Sequence, residues 1–256
     1  MKTVLRKKDI FNFLEKHEIL HGDTLFLHGN AMALAQVYGE NKSKKVVNFW
    51  NAIKDFLGSK GTIIVPTFTY SATKKECFDV LNTPSVIGQF SEDFRCLHFN
   101  NRTLHTIFSV SYYGYYSQEI SETDSKTCFG KNSIFDFIKK INARLISIGC
   151  SYNEFTFTHH LEEDFGVSYR YFKDFKSTYI QNAKLKSVTT NYFVRNLKDS
   201  YSIKLNLIKL KNVLLDKKLF IDHSFGRVSG YSCLTKNFYK YGVNLLKKDE
   251  FALVKS

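Results

Sequence analysis

Apolar residues recur along the chain with two different periods, and the two alternate. Between Asp9 and Lys16, Ile10, Phe13 and Leu14 fall at helical spacing and predict a short amphipathic helix. Gly22-Asp23 then leads into Thr24-Leu25-Phe26-Leu27, an apolar run expected of a buried strand, which ends at His28-Gly29-Asn30. From Lys44 to Leu57 the positions Val46, Val47, Phe49, Trp50, Ile53, Phe56 and Leu57 predict a core-facing helix, closed by Gly58. Gly61-Thr62-Ile63-Ile64-Val65-Pro66 reads as the next strand. Further on, Thr106 to Ser111 predicts a strand, Ser133 to Ile141 a helix, and Ala143 to Ile148 a strand that delivers the chain to Gly149.

This order of strand, loop, helix and strand predicts an α/β fold, three-layer-like (α/β/α) around a central mixed sheet. Function is then expected at the carboxyl ends of the strands. Beyond Ser168 the pattern changes. The stretch 168–215 is rich in aromatic and β-branched residues with turn residues between them, which predicts an antiparallel β excursion in the C-terminal half. Thr235 to Leu246 predicts a closing helix. With two prolines and no linker-like run, residues 1–256 are expected to form a single domain.

Hydrophobic residues at 43% and aromatics at 16% are enough for a real core. The formal charge of +13 marks a surface that attracts anions, whether nucleic acid, acidic lipid or a phosphorylated small molecule. A basic nucleic-acid-binding protein is the alternative of another class, and it predicts steeply salt-dependent binding. The lysines are dispersed and no recognisable nucleic-acid module is present, so no nucleic-acid partner is expected. Five cysteines, odd in number and without CxxC spacing, point away from both a disulfide framework and a zinc knuckle. The first residues form too short an apolar run for a signal peptide, and no membrane span is expected. A cytoplasmic location follows as the expectation.

The richest chemistry lies in Asn153 to Asp164, directly after the strand ending at Gly149. In a helix, His159 and Glu162 share a face, and a carboxylate that holds an imidazole is the equipment of a general base. The competing reading is an ordinary helix-surface ion pair. His160 and Asp164 face elsewhere. A metal set drawn from His159, His160, Glu162 and Glu163 lacks the H-E-x-x-H pattern, and no metal is expected. Cys150, a few residues before His159, offers ping-pong acyl transfer as an alternative, against the commoner role of a buried, reduced cysteine.

The distributed motifs resemble those of the aminoglycoside 3-N-acetyltransferase-like family (the antibiotic N-acetyltransferase superfamily). Gly22-Asp23-Thr24-Leu25-Phe26-Leu27-His28 resembles its opening strand and His-containing loop. The segment from Gly58 through Gly61-Thr62-Ile63-Ile64-Val65-Pro66-Thr67-Phe68-Thr69 is similar to its Gly-Thr-hydrophobic-Pro-Thr-aromatic stretch. Phe78-Asp79, Thr83-Pro84-Ser85, Gly88 and Phe94-Arg95 follow in order. Arg102-Thr103-Leu104-His105 with Ser109-Val110 resembles its Arg-Ser-x-His/Asn-Pro-x-x-Ser run, and Thr156 to Glu162 its Thr-x-x-His-x-x-Glu signature. The chain departs from the family at Gly29-Asn30, where Ser-Ser is usual, and at Thr106, where proline is usual.

The resemblance implies transfer of an acetyl or other short acyl group from acyl-CoA to an aminosugar amine, without a covalent enzyme intermediate. His159 would serve as base, oriented by Glu162. His28, Gly29, Asn30, Arg102, His105 and Ser109 would bind the coenzyme; Thr69, Asp79, Thr156 and Asp222 would meet the acceptor. Because a chain at +13 repels polycations, the expected acceptor is a nucleotide-diphosphate-linked aminosugar of surface polysaccharide synthesis. The alternative is an aminoglycoside 3-N-acetyltransferase conferring antibiotic resistance.

Overall fold

The computed structural model describes residues 4–98, 100–196 and 204–255. In chain order, α1 (Lys7–Lys16) leads to β1 (Thr24–Gly29), and α2 (Ala31–Ala35) and α3 (Lys42–Leu57) precede β2 (Thr62–Pro66). Next come α4 (Ser71–Lys74), β3 (Phe78–Asp79), α5 (Gln89–Leu97), β4 (Val110–Gly114), α6 (Ser117–Ser121), α7 (Ile134–Lys140) and β5 (Arg144–Ile148). A 3-10 turn at Tyr152–Glu154 introduces α8 (Thr158–Phe165), followed by the strands β6 (Arg170–Gln181) and β7 (Lys184–Arg195). The chain continues through β8 (Lys204–Leu205), α9 (Ile208–Asp216), β9 (Phe220–Asp222), β10 (Gly230–Leu234), α10 (Thr235–Leu246) and β11 (Val254–Lys255).

The central sheet has the order β4-β2-β1-β5-β10-β9. Its middle strands β2, β1 and β5 are parallel, while β4, β10 and β9 join antiparallel at the flanks. Alternation along β1 explains the layers: Leu25 and Leu27 join a core with residues of α1, α3 and α5, while Phe26 joins one with residues of α7, α8, α9 and α10. The mixed sheet covered by helices on both sides is the α/β arrangement expected. The hairpin β6–β7, antiparallel over its whole length, forms a further sheet with β3.

Two expectations are corrected. Of the strand expected over Thr106 to Ser111, the part from Thr106 to Ser109 is not a strand: the chain turns there, and the N–H groups of Ile107 and Phe108 donate to His105 Nδ1 at 3.1 and 2.9 Å. The strand begins at Val110. Within the expected β excursion, residues 208–216 are helical, with Leu210 and Leu214 at helical spacing turned into the core. The part of that excursion at 197–203 lies outside the described residues.

Two adjacent strand ends are tied together. Gly29 pairs with Ile148, the Asn30 N–H donates to the Ile148 carbonyl at 3.1 Å, and the Asn30 side-chain amide donates to the Gly149 carbonyl. The Asn30 Oδ1 also caps α2 by accepting from Met32 and Ala33. Gly149 has φ +78°, and a Cβ there would stand 2.5 Å from Asn30 Oδ1, so only glycine fits the tie.

Several histidines are buried as neutral rings. His17 is wholly buried between Ser232 Oγ (2.9 Å) and the His223 carbonyl (3.0 Å). Burial pushes its pKa down to about 4, and does the same for His28 and His105. The unfolded chain, with His near 6.5, therefore binds more protons than the folded one across this interval. Stability is expected to fall as pH drops from about 6.5 towards about 4. Thermal melting across that range checks this, and a flat melting temperature would contradict it.

Candidate active site

β1, β2 and β5 end side by side, and a two-lobed cleft opens where they end. The first lobe, about 290 Å³, is lined by His28 and Gly29 from β1, Pro66 from β2, and Cys150, Glu154 and His159 from the chain after β5. The second, about 550 Å³, is lined by Phe108, Arg170, Tyr192, Arg195 and Lys204 among others. Tyr70, Asn153, Thr156, His159 and Leu205 line both lobes. Tyr70 holds this place with φ +56°, a left-handed backbone uncommon for an aromatic residue.

His159 stands in the first turn of α8, one turn before Glu162. Its Nδ1 lies 2.6 Å from Glu162 Oε2. Arg170, at the start of β6, donates from Nη2 to the same oxygen at 2.9 Å, and Tyr169 donates its hydroxyl to Oε1 at 2.9 Å. Nη2 is also 3.0 Å from His159 Nδ1, but a ring nitrogen that gives its proton to Glu162 has no lone pair to accept with. The geometry thus assigns the neutral imidazole's proton to Nδ1. Nε2 makes no hydrogen bond among the described residues, and the side chain is 20% exposed, at the junction of the lobes. An open lone pair on a ring held from behind is what proton abstraction requires.

Electrostatics favour these protonation states. Burial lowers the His159 pKa and Arg170 lowers it further, against the upward pull of Glu162. Burial pulls the Glu162 pKa upward, but His159, Arg170 and Tyr169 together hold it below the ordinary carboxylate value. The ring of Phe129, 5.2 Å away, packs against the imidazole. His28 is buried with Nε2 3.4 Å from Thr156 Oγ1, and its Nδ1 has no partner among the described residues. A side chain at Gly29 would collide with Phe90, with its Cβ 2.6 Å from the ring.

Of the residues expected at the site, His159, Glu162, His28, Gly29 and Thr156 come together here. The others do not line the cleft. Asn30 is used in the tie to Gly149. Arg102 is buried, and its guanidinium donates to Ser109 Oγ and to the carbonyls of Thr67, Val80 and Thr83. Both His105 nitrogens are engaged by backbone groups, the second by the Thr127 carbonyl at 3.1 Å. Ser109 donates to the Thr67 carbonyl. Arg102, His105 and Ser109, expected to bind the coenzyme, thus have their polar groups engaged inside the protein. Thr69 is buried against the Thr106 carbonyl, Asp79 caps a turn through Leu81 and Asn82, and Asp222 pairs with Lys211 at 3.0 Å. His160 turns away to the Phe129 carbonyl, and Asp164 binds Tyr239 and Lys139.

Sequence reasoning missed Tyr70, Tyr169, Arg170, Tyr192 and Arg195. The one available clue was Glu162 itself, since a carboxylate on a buried helix face needs a cation or donors to sit against.

A sequence model of the aminoglycoside 3-N-acetyltransferase family matches residues 26–247. No curated protein sequence matches the chain. Among solved structures, aminoglycoside acetyltransferase AAC(3)-IVa, apoenzyme, superposes with a TM-score of 0.78 at 17% identity, covering 99% of this chain and 92% of that one. AAC-IIIb in a binary complex with CoASH gives 0.78 at 13% identity, with 96% and 97% covered. AAC-VIa bound to sisomicin gives 0.80 at 14%, with 96% and 98% covered. At these identities the likeness concerns the fold.

The Cys150 thiol is pushed up to about 12, first by burial and then by Glu154, so almost none of it is thiolate at neutral pH. Thiol labelling at pH 7.5, mapped by mass spectrometry, is expected to reach the exposed Cys77 and Cys96 well before Cys150. Rapid labelling of Cys150 would restore the ping-pong alternative.

Proposed function

Because the chain belongs to the aminoglycoside 3-N-acetyltransferase family, whose members are acyl-CoA-dependent N-acyltransferases, we propose that it acetylates an aminosugar amine by direct transfer with His159 as general base. The observation that carries this reading is the open Nε2 of His159 at the junction of two lobes, with Nδ1 fixed by a buried carboxylate. We assign the first lobe to the donor's thioester arm. It lies at the carboxyl ends of three parallel strands and is lined there by His28 and Gly29 of β1 and Pro66 of β2. Bound acetyl-CoA supplies the activated acetyl group. Glu162 holds the imidazole in its neutral tautomer, and Nε2 takes the proton of the attacking amine as the new bond forms.

The second lobe is assigned to the acceptor, with Thr156 at the boundary. An aminoglycoside is better supported as acceptor than the nucleotide-linked sugar expected from net charge, since relatives are seen with sisomicin and, in a mutant of AAC(3)-IVa, with a gentamicin. One observation favours a second reading. Arg170, Arg195 and Lys204 line this lobe, and among the described residues that line the cleft the sole carboxylate, Glu154, belongs to the first lobe. Such a lining suits an aminosugar that carries a phosphate or carboxylate.

Thiol release from acetyl-CoA tests both. With an accepted aminosugar, His159→Ala is expected to lose on the order of 10²- to 10⁴-fold in kcat while CoA binding persists, and Cys150→Ala to stay near wild type. An active His159→Ala enzyme would remove the base assignment, and a protein that binds no CoA would remove the function.

Sisomicin, glucosamine, glucosamine 6-phosphate and UDP-glucosamine separate the acceptors. On the first reading sisomicin has the highest kcat/KM. On the second the phosphorylated sugars lead, and their advantage shrinks with added salt and in an Arg195→Gln/Lys204→Gln variant.

A further inference from the structure

We propose that Arg170 is a positioning residue for the transfer: it fixes Glu162 as an anchor for the His159 ring while cancelling the charge that would otherwise trap a proton there. The inference rests on the reading of His159 as the base.

A buried imidazole beside a lone carboxylate tends to become an ion pair, because the negative charge favours the protonated ring. A ring already protonated cannot accept the amine's proton. Here the carboxylate is not alone. Glu162 Oε2 receives His159 Nδ1 at 2.6 Å and Arg170 Nη2 at 2.9 Å, and Oε1 receives Tyr169. The Arg170 and Glu162 side chains are 3% and 0% exposed, so their interaction is little screened by water. Nη1 of Arg170 is also tied to the Phe193 carbonyl at 3.2 Å, which fixes the guanidinium from β7.

The charged groups acting on His159 are Glu162 from its own helix, Arg170 from β6 and Arg195 from β7; Phe129 faces it as an uncharged ring. Burial first, and then the two positive groups against one negative, favour the neutral resting imidazole.

The same arrangement serves the second half of the reaction. The amine's proton passes to Nε2 as the N–C bond forms and the C–S bond breaks. The imidazolium then returns that proton to the departing thiolate, and His159 ends neutral. The nearby guanidinium makes the imidazolium a readier donor for this last transfer.

The test is the pH dependence of kcat/KM together with NMR titration of the His159 imidazole in the substrate-free protein. In Arg170→Gln the acid limb and the ring titration are both expected to move up by about one pH unit, whereas Arg170→Lys keeps them near wild type. A limb and titration that stay in place while kcat falls at every pH would reduce Arg170 to a structural brace and overturn the proposal. If Arg170→Gln does not fold, the wild-type ring still decides. Its nitrogen shifts at pH 7 are expected to report a neutral imidazole protonated on Nδ1, and an imidazolium there overturns the proposal. The NMR readout needs no turnover, so a protein that acetylates nothing but shows the shift would sink the function and leave standing only the electrostatic hold of Arg170 on the His159 ring.

Discussion

A carboxylate with no exposure to water dictates how this site is built. Glu162 sits on the inward face of α8, where an unpaired charge would cost several kcal/mol. Its three partners come from different places: His159 from one turn earlier, Tyr169 from the link after α8, and Arg170 from the start of the hairpin. Removing one partner of such a buried group typically costs about 3–5 kcal/mol. The contacts that hold the His159 ring are therefore also the contacts that seat the β6–β7 hairpin against α8, and site geometry and local stability share one set of bonds.

Much of the fold could be read from the sequence because its central strands are short apolar runs punctuated by glycine. Thr24 to Leu27, Thr62 to Pro66 and Arg144 to Ile148 are buried on both faces, and helical spacing before and after them gave the layers. The misreading at Thr106 to Ser109 has a physical cause. Ile107 and Phe108 are as buried as strand residues, but a side-chain nitrogen of His105 satisfies their N–H groups in place of a neighbouring strand. The helix α9 was hidden inside a stretch read by its composition, since Leu210 and Leu214 offer only one short turn of pattern.

At the site, the local pair was legible and the long-range partner was not. His159 and Glu162 are three residues apart on one helix, so spacing alone predicts their contact. Nothing in the spacing links Arg170 to Glu162, because the chain leaves the helix at Gly166 and returns as a strand. Arg102 and His105 show a task that residue type alone does not announce: the loops around them carry carbonyls and amides with no strand partner, and these two side chains satisfy them.

The tie between Asn30 and Gly149 divides the enzyme into parts with different freedom to change. It joins the ends of β1 and β5, the two strands that present His28 and lead to His159, so one wall of the cleft is a frame in which almost any side chain added at Gly149 collides. The β6–β7 hairpin contributes Arg170, Tyr192 and Arg195 to the second lobe, and its outward residues, such as Tyr171, Phe172 and Leu185, meet water. Substitutions can accumulate on that hairpin without disturbing the frame. With the donor in the first lobe as proposed, a scaffold built this way can keep its donor seat while the molecule it modifies is exchanged.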